Sequence, residues 1–385
     1  MRTIPAFGEP QDGSSFSNLN SLKILYMSHL ALGDYIYQGP FLKELVESHP
    51  CIELDIWIDD CRKKKKPWHR GRSKSLVQWL SNEQHINYVY PIPNSSSELD
   101  LQIQKAHLKD YDVVVFVATN RPAAFAKTAV KIINHGKVFG TVPMNRLSSL
   151  VNYAAYNKLD GKINLKKVSA FNHISDFYQN IFRQLFAISI DKNQRLLKLD
   201  ISLKLKQHCL LYLESWANKH HLQDPQIIFI NHLSTCKKRD WKLSQLEELL
   251  LLLGERRPQC LFILNAPPND FESLNYWAAS NPLIKHLAIE AYTAKDNFFE
   301  LPALMSHCSL VISVETAIMH LASSLNIQQI ALIRQSAKHW RPLNKSHILK
   351  GEQRVDSITP HEVFNAAISV QKTKIYQKSA VEKCK

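Results

Sequence analysis

Short apolar runs rich in β-branched and aromatic residues alternate along this chain with longer amphipathic stretches. In the first half, Leu22–Met27, Cys51–Ile58, Ile86–Pro91 and Asp112–Ala118 read as strands, and the stretches between them repeat apolar residues at helical spacing, as from Tyr35 to about His49 and over His173–Ile188. The second half repeats the pattern with Gln226–Asn231, Cys260–Asn265, Leu287–Glu290, Leu310–Val314 and Gln329–Ile333, and Pro360–Val370 reads as a short closing helix. Strands that alternate with helices in this way belong to parallel sheets covered on both faces. The expected fold is α/β, with two Rossmann-like doubly wound domains facing across a cleft, which is the default place for a site.

The domain boundaries follow composition. Residues 1–20 are polar and read as a disordered lead-in, 21–190 as an N-terminal domain, the lysine-rich 191–205 as a linker, 206–359 as a C-terminal domain, and 360–385 as a closing helix with a basic tail. A chain of 385 residues with a hydrophobic fraction of 45% suits two domains with real cores. The longest wholly apolar runs, Val113–Ala118 and Leu249–Leu253, are far too short to span a bilayer, and no signal peptide is visible, so a cytoplasmic location is expected. Seven cysteines stand at 51, 61, 209, 236, 260, 308 and 384 without a C-x-x-C pair, which suggests reduced thiols and no zinc site.

The formal charge of +14 is partly concentrated. Arg62, Lys63, Lys64, Lys65, Lys66, Arg70, Arg72 and Lys74 surround Pro67 and Trp68, and five further lysines occupy 372–385. Such a field attracts polyanions or an anionic membrane surface, although it also fits a loop that merely keeps the protein soluble. A nucleic-acid module would need a helix-turn-helix, a finger spacing or stacking aromatics, and none is present, so no nucleic-acid partner is expected.

Candidate chemistry gathers where strands meet helices. Leu310–Val314 runs into an amphipathic stretch with Ser313, Glu315, Thr316 and His320 at the junction, and a right-handed crossover would leave the helix N-terminus open above the carboxyl end of the sheet. Unpaired N–H groups converge there, as anion binding requires, though an ordinary βαβ unit with an acid in its first turn would read the same way. Gly33-Asp34 follows the first strand, where Asp34 could equally be a helix-capping acid, and His232-Leu233-Ser234-Thr235 with Lys237, Lys238 and Arg239 follows Gln226–Asn231. Trp241 reads as packing rather than ligand stacking, and His135, His173 and His286 as surface or core histidines.

Four segments in order, KILYMSHLALGDYIYQGPFLKEL, NHLSTCKKRDW, SVETAIMHLASSLN and Trp340-Arg341-Pro342-Leu343, resemble the heptosyltransferases of glycosyltransferase family 9. The resemblance implies a GT-B fold and inverting transfer of a sugar, heptose from a donor such as ADP-heptose, to a lipopolysaccharide core or related glycan. It implies Asp34 as the base on the acceptor hydroxyl, with Gly33 allowing a close backbone approach. It further implies that Ser234, Thr235, Arg239, Glu315, Thr316, Ala317 and His320 hold the donor, where Arg239 stands in place of the family's usual Lys and can still clamp a diphosphate. Lys63, Lys64 and Arg70 would suit an anionic acceptor at the inner membrane face. Neither a cofactor nor a metal is implied beyond the nucleotide-sugar co-substrate, because no Asp-x-Asp motif stands in a suitable loop and Asp59-Asp60 lies beside the basic stretch.

The departures from the family pattern bear on specificity. Glu315-Thr316-Ala317 replaces Asp-Thr-Gly, and Asn265-Ala266-Pro267-Pro268 replaces a segment from which some relatives offer a Glu to the nucleoside. Three alternatives are a sugar-nucleotide epimerase of GT-B shape, a catalytically degenerate binder of glycan or nucleotide sugar, and a polyanion-binding protein that would leave the cleft motifs unexplained. Donor base and sugar, acceptor and oligomeric state stay open.

Overall fold

The computed structural model describes residues 21–59, 68–143, 152–168, 170–295, 297–344 and 346–370, without the side chains of Trp68, His69, Arg70 and Arg72. The lead-in, Asp60, the basic run with Lys63 and Lys64, the Arg70 side chain and the lysine tail lie outside the described residues. The chain divides into two compact units, Met1–Leu197 and Lys198–Lys385.

The first unit runs β1 (Leu22–Ser28), α1 (Leu32–Ser48), β2 (Ile52–Ile58), α2 (Trp68–Leu80), β3 (Tyr88–Tyr90), α3 (Ser96–Leu108), β4 (Val113–Val117), α4 (Pro122–Ile132), β5 (Lys137–Val142), α5 (Tyr153–Tyr156), β6 (Gly161–Asn164) and α6 (Ile174–Phe186). Its sheet is parallel throughout, in the order β3-β2-β1-β4-β5-β6. The second unit runs α7 (Leu203–Lys219), β7 (Gln226–Asn231), α8 (Leu243–Arg256), β8 (Cys260–Asn265), α9 (Phe271–Ser280), β9 (Ile289–Tyr292), α10 (Glu300–Met305), β10 (Leu310–Val314), α11 (Ala317–Ser324), β11 (Gln329–Arg334) and β12 (Ser346–Gly351). A last helix, α12, covers residues 360–370. Its sheet is also all parallel, in the order β12-β11-β10-β7-β8-β9.

The central strands are buried on both faces, which is why they read as continuous apolar runs rather than as alternating ones. Three strands escape the sequence reading: β5, β6 and β12. Lys137–Val142 contains Gly140, Gly161–Asn164 has only one strongly apolar residue, and Ser346–Gly351 is a polar edge strand, so none carries an uninterrupted hydrophobic signal. Among the described residues no helix is long and apolar enough to cross a membrane.

Within α1, Pro40 has no N–H to give the Ile36 carbonyl four residues back, and the Leu197 N–H takes that acceptor at 3.1 Å. Gly39 makes the approach possible, since a Cβ there would come within 2.8 Å of Leu197 Cδ2. The Gly39-Pro40 pair thus ties the last residues of the first unit to the helix that carries Asp34.

Candidate functional site

In a doubly wound sheet, ligands bind at the carboxyl ends of the two strands where the order reverses. The second unit reverses between β7 and β10, with Asn231 opposite Ser313. The buried Asn231 side chain joins the loops at this point. Its Nδ2 reaches Thr316 Oγ1 at 3.1 Å, Ser313 Oγ at 3.2 Å and the Leu233 carbonyl at 3.2 Å, while its Oδ1 accepts from Asn265 Nδ2 at 2.8 Å. Thr316 caps α11 by accepting the Ile318 N–H at 3.3 Å. Ala317 is the first helical residue, and His320 lies one turn on, buried, with its ring 6.1 Å from that of Trp340.

The loop after β7 curls upon itself. Ser234 Oγ lies 2.7 Å from Asp240 Oδ1 and 2.8 Å from the Cys236 carbonyl, and accepts the Cys236 N–H at 3.0 Å. Ser234 therefore shapes the loop, whereas the neighbouring Thr235 is exposed. Arg239 touches the Glu315 carbonyl and Thr235 Oγ1 only at 3.5 Å, the outer limit of hydrogen bonding, which leaves its fork available to a ligand. The sequence reading missed a second guanidinium. Arg334, the last residue of β11, grips Glu315 from two sides: its N–H and Nε donate to Oε2 at 3.3 and 3.0 Å, and its Nη2 donates to Oε1 at 2.8 Å. Its place at the carboxyl end of an apolar run was the available signal.

Cys236 reports the local field. A bond from the Lys238 N–H, helped by the Arg239 and Arg334 charges, holds its thiol below the ordinary range although burial works the other way. An incoming phosphate would meet the same donors. Beside it, His232 is buried with Nδ1 unpartnered, and burial pulls it down to about 4, so it is neutral near pH 7. Trp241 packs in the core and donates Nε1 to the Ile358 carbonyl at 2.9 Å. Among the described residues no group of three or more His, Cys, Asp or Glu side chains is placed to hold a metal ion.

In the first unit the order reverses between β1 and β4, and the loop after β1 leads into α1. Asp34 is half-buried in the first turn of α1 beside Gly33, and its Oδ2 accepts the Ala31 N–H at 3.0 Å, the contact expected of a capping acid. Behind it lies a buried polar chain. Tyr26 OH donates to Gln38 Oε1 at 2.6 Å and Ser28 Oγ lies 3.1 Å from the same oxygen, while burial, with the Asp34 charge, holds the Tyr178 phenol of α6 well above its ordinary range. Gln38 stands one helical turn after Asp34 and could have been found by that spacing.

A second polar group sits at the same sheet end. Asp59 accepts Arg121 Nη2 at 2.8 and 2.7 Å and pairs with His29 Nδ1 at 2.9 Å, while His29 Nε2 bonds the Asn120 carbonyl. Arg121 holds a left-handed φ of 50° immediately before Pro122. Of the lone histidines, His135 and His286 are exposed and His173 is buried at the N-cap of α6, accepting the Ser175 N–H.

The family model described as glycosyltransferase family 9 (heptosyltransferase) matches residues 102–362. Among solved structures, the glycosyl transferase family 9 protein from Veillonella parvula is similar at 18% identity and a TM-score of 0.71, covering 92% of this chain and 98% of that one. The E. coli ADP-heptose lps heptosyltransferase II is similar at 17% identity and 0.66, covering 92% and 99%. The E. coli heptosyltransferase WaaC with ADP is similar at 16% identity and 0.63, covering 91% and 100%. No curated protein matches the chain in direct sequence comparison.

Proposed function

The chain belongs to glycosyltransferase family 9, and from that premise we propose that it is an inverting, metal-independent glycosyltransferase moving a sugar, heptose before others, from a nucleoside diphosphate to an anionic glycan such as a lipopolysaccharide core. The observation that carries this reading is the pair of guanidiniums, Arg239 and Arg334, at the strand-order reversal of the second unit, beside an N-capped helix and a thiol whose acidity is raised by the same donors. ADP bound to a similar heptosyltransferase supports a nucleotide sugar as donor.

In this reading Asp34 removes the proton of the acceptor hydroxyl as that oxygen attacks the anomeric carbon. The bond from carbon to the diphosphate oxygen breaks, and the charge that develops there is stabilised by Arg239, Arg334, Thr235 and the first N–H groups of α11. Ser234 holds the loop in shape, His320 and Ala317 line the sugar side, and no cofactor takes part. The first unit supplies the acceptor site, with Lys63, Lys64 and Arg70 drawing an anionic glycan towards the cytoplasmic face of the inner membrane. Calorimetric titration with ADP, UDP and GDP, followed by mass spectrometry of products from ADP-heptose and a truncated lipopolysaccharide acceptor, tests the reading. Micromolar binding of one diphosphate and a product heavier than the acceptor by one sugar are expected. Absence of both would overturn it.

One observation favours a second reading. Both carboxylate oxygens of Glu315, which stands for the family's shorter acid, are engaged by Arg334. A chain that binds nucleotide sugar without transferring it would tolerate such a loss of a free sugar-binding carboxylate. Diphosphate binding with no product from any donor would select that reading.

A further inference from the structure

We propose that Asn231 is a positioning residue for the anion-binding mouth of the second unit: its amide fills an acceptor position of the Thr316 hydroxyl, so that the Thr316 proton is left for a phosphate oxygen. The inference deepens the reading of this mouth as the donor site and rests on it.

The amide can be set in only one direction. Asn231 Nδ2 lies 3.2 Å from the Leu233 carbonyl, which accepts and never donates, so the NH2 end must stand there. Its oxygen then faces Asn265 Nδ2 at 2.8 Å, a donor. The other acceptors of the NH2 group are Ser313 Oγ at 3.2 Å and Thr316 Oγ1 at 3.1 Å. Proton counting at the hydroxyls follows. Thr316 Oγ1 accepts from Asn231 and from the Ile318 N–H at 3.3 Å, which occupies both its lone pairs. Ser313 gives its one proton to the Val314 carbonyl at 2.9 Å. What remains to Thr316 is to donate. Inside this network its acceptor is Ser313 Oγ at 3.3 Å, a long contact for two hydroxyls. A phosphate oxygen is the better acceptor, because the bond to it is charge-assisted.

Asn231 also suits this role by where it stands. It ends β7 at 4% exposure, paired in register with Ser313 of β10, which is fully buried. Its partners come from the end of β8, from β10, from the loop after β7 and from the residue that caps α11. A buried amide is stable when its polar atoms are paired in this way, and the pairing makes it rigid. One side chain thereby fixes the cap of α11 relative to the loop that carries Thr235 and leads to Arg239. Removing the amide leaves Thr316 Oγ1 with an open acceptor position, and its hydroxyl can turn to a neighbour instead of a ligand. Asn231 acts through Thr316 and touches no phosphate itself.

The test is a double-mutant cycle in the full chain on Asn231→Ala and Thr316→Val, read by calorimetric titration with whichever of ADP, UDP and GDP the wild type binds best. Each single variant should weaken binding about tenfold, the loss of one hydrogen bond to a charged group. The double variant should also be about tenfold weaker, because the second change removes nothing further. Competition by the matching nucleoside, which carries no phosphate, should stay within about twofold of wild type in all three variants. Losses that multiply to about a hundredfold, or nucleoside binding that falls together with diphosphate binding, would mean that Asn231 only supports the fold. Either result overturns the proposal. Should Asn231→Ala not fold, Asn231→Thr takes its place in the cycle, since it nearly keeps the volume and lacks the NH2 group, with the same expected and overturning results. If the wild type binds none of the three diphosphates, the donor reading of this mouth falls and the inference falls with it. If the wild type binds one and Asn231→Ala binds it equally well, only the role of Asn231 falls.

Discussion

The two units share one strand order, and where each order reverses they hold opposite chemistry. The mouth of the first unit presents a carboxylate, Asp34, which accepts the Ala31 N–H at the start of α1. The mouth of the second presents guanidiniums, Arg239 and Arg334, over a loop of hydroxyl and N–H groups. Identical backbone topology sets up a crevice in each case, and the side chains that end the strands and open the helices decide whether it suits proton removal or a diphosphate. The comparison also separates two kinds of support. Asp34 accepts a backbone N–H of its own helix start, whereas Glu315 in the second unit faces a full counter-charge on Arg334.

If that division holds, crossing the two mouths should give opposite phenotypes. The largest effect is expected from Asp34→Asn, which keeps the shape but cannot accept a proton. Turnover should drop by about 10²–10⁴-fold, while calorimetric affinity for the nucleoside diphosphate stays within a few-fold. A parallel loss of diphosphate binding would break the comparison.

Next comes Arg239→Ala, which should weaken diphosphate binding by about 1.5–3 kcal/mol, the range for hydrogen bonds to charged groups, with a smaller loss at high salt. Unchanged titration curves at low salt would put Arg239 outside the site. Arg334→Ala should behave in the same way with a smaller loss, since Glu315 already offsets part of its charge.

Gly39→Ala sharpens the structural side of the comparison. A methyl group 2.8 Å from Leu197 Cδ2 must displace that side chain, with the Tyr35 ring at 3.1 and 3.2 Å crowding the same space, at about 1–3 kcal/mol. Denaturant unfolding should show the first unit melting earlier, with the diphosphate affinity of the second unit retained. Loss of both together would mean that the units do not respond independently.

The smallest effect is expected from pH, and it is confined to the second unit. His232 is depressed from 6.5 to about 4 by burial, so the unfolded chain takes up its proton first as pH falls. Its contribution to stability is complete above pH 6.5 and is lost as pH falls towards 4. Between pH 7 and pH 5 that amounts to about 1–2 kcal/mol. Thermal melts of His232→Gln against wild type across this range should show a flatter dependence in the variant, and parallel curves would remove His232 as the cause.

Much of this molecule is legible in local pattern. The central strands announce themselves because both faces are buried, and the helices because one face is. The Gly-Asp pair, the Ser-Thr loop with Arg239, and Thr316 as the first cap of a helix all sit at junctions that hydrophobic pattern alone locates. The short or polar strands β5, β6 and β12 are invisible because their pairing, not their own apolar content, makes them strands.

What the amino-acid order determined by itself is therefore the α/β alternation, the positions of the strand-to-helix junctions, and the chemical type of the residues placed there, since each depends on neighbours within a few positions. Tertiary structure alone decided which junctions share a mouth and what stands behind each side chain. Strand order brings β7 beside β10 although about 80 residues separate Asn231 from Ser313. The same long-range packing puts Arg334 on Glu315 and brings Phe182 of α6 onto Tyr26 of β1. Such contacts follow from how whole elements pack, and no local pattern encodes them.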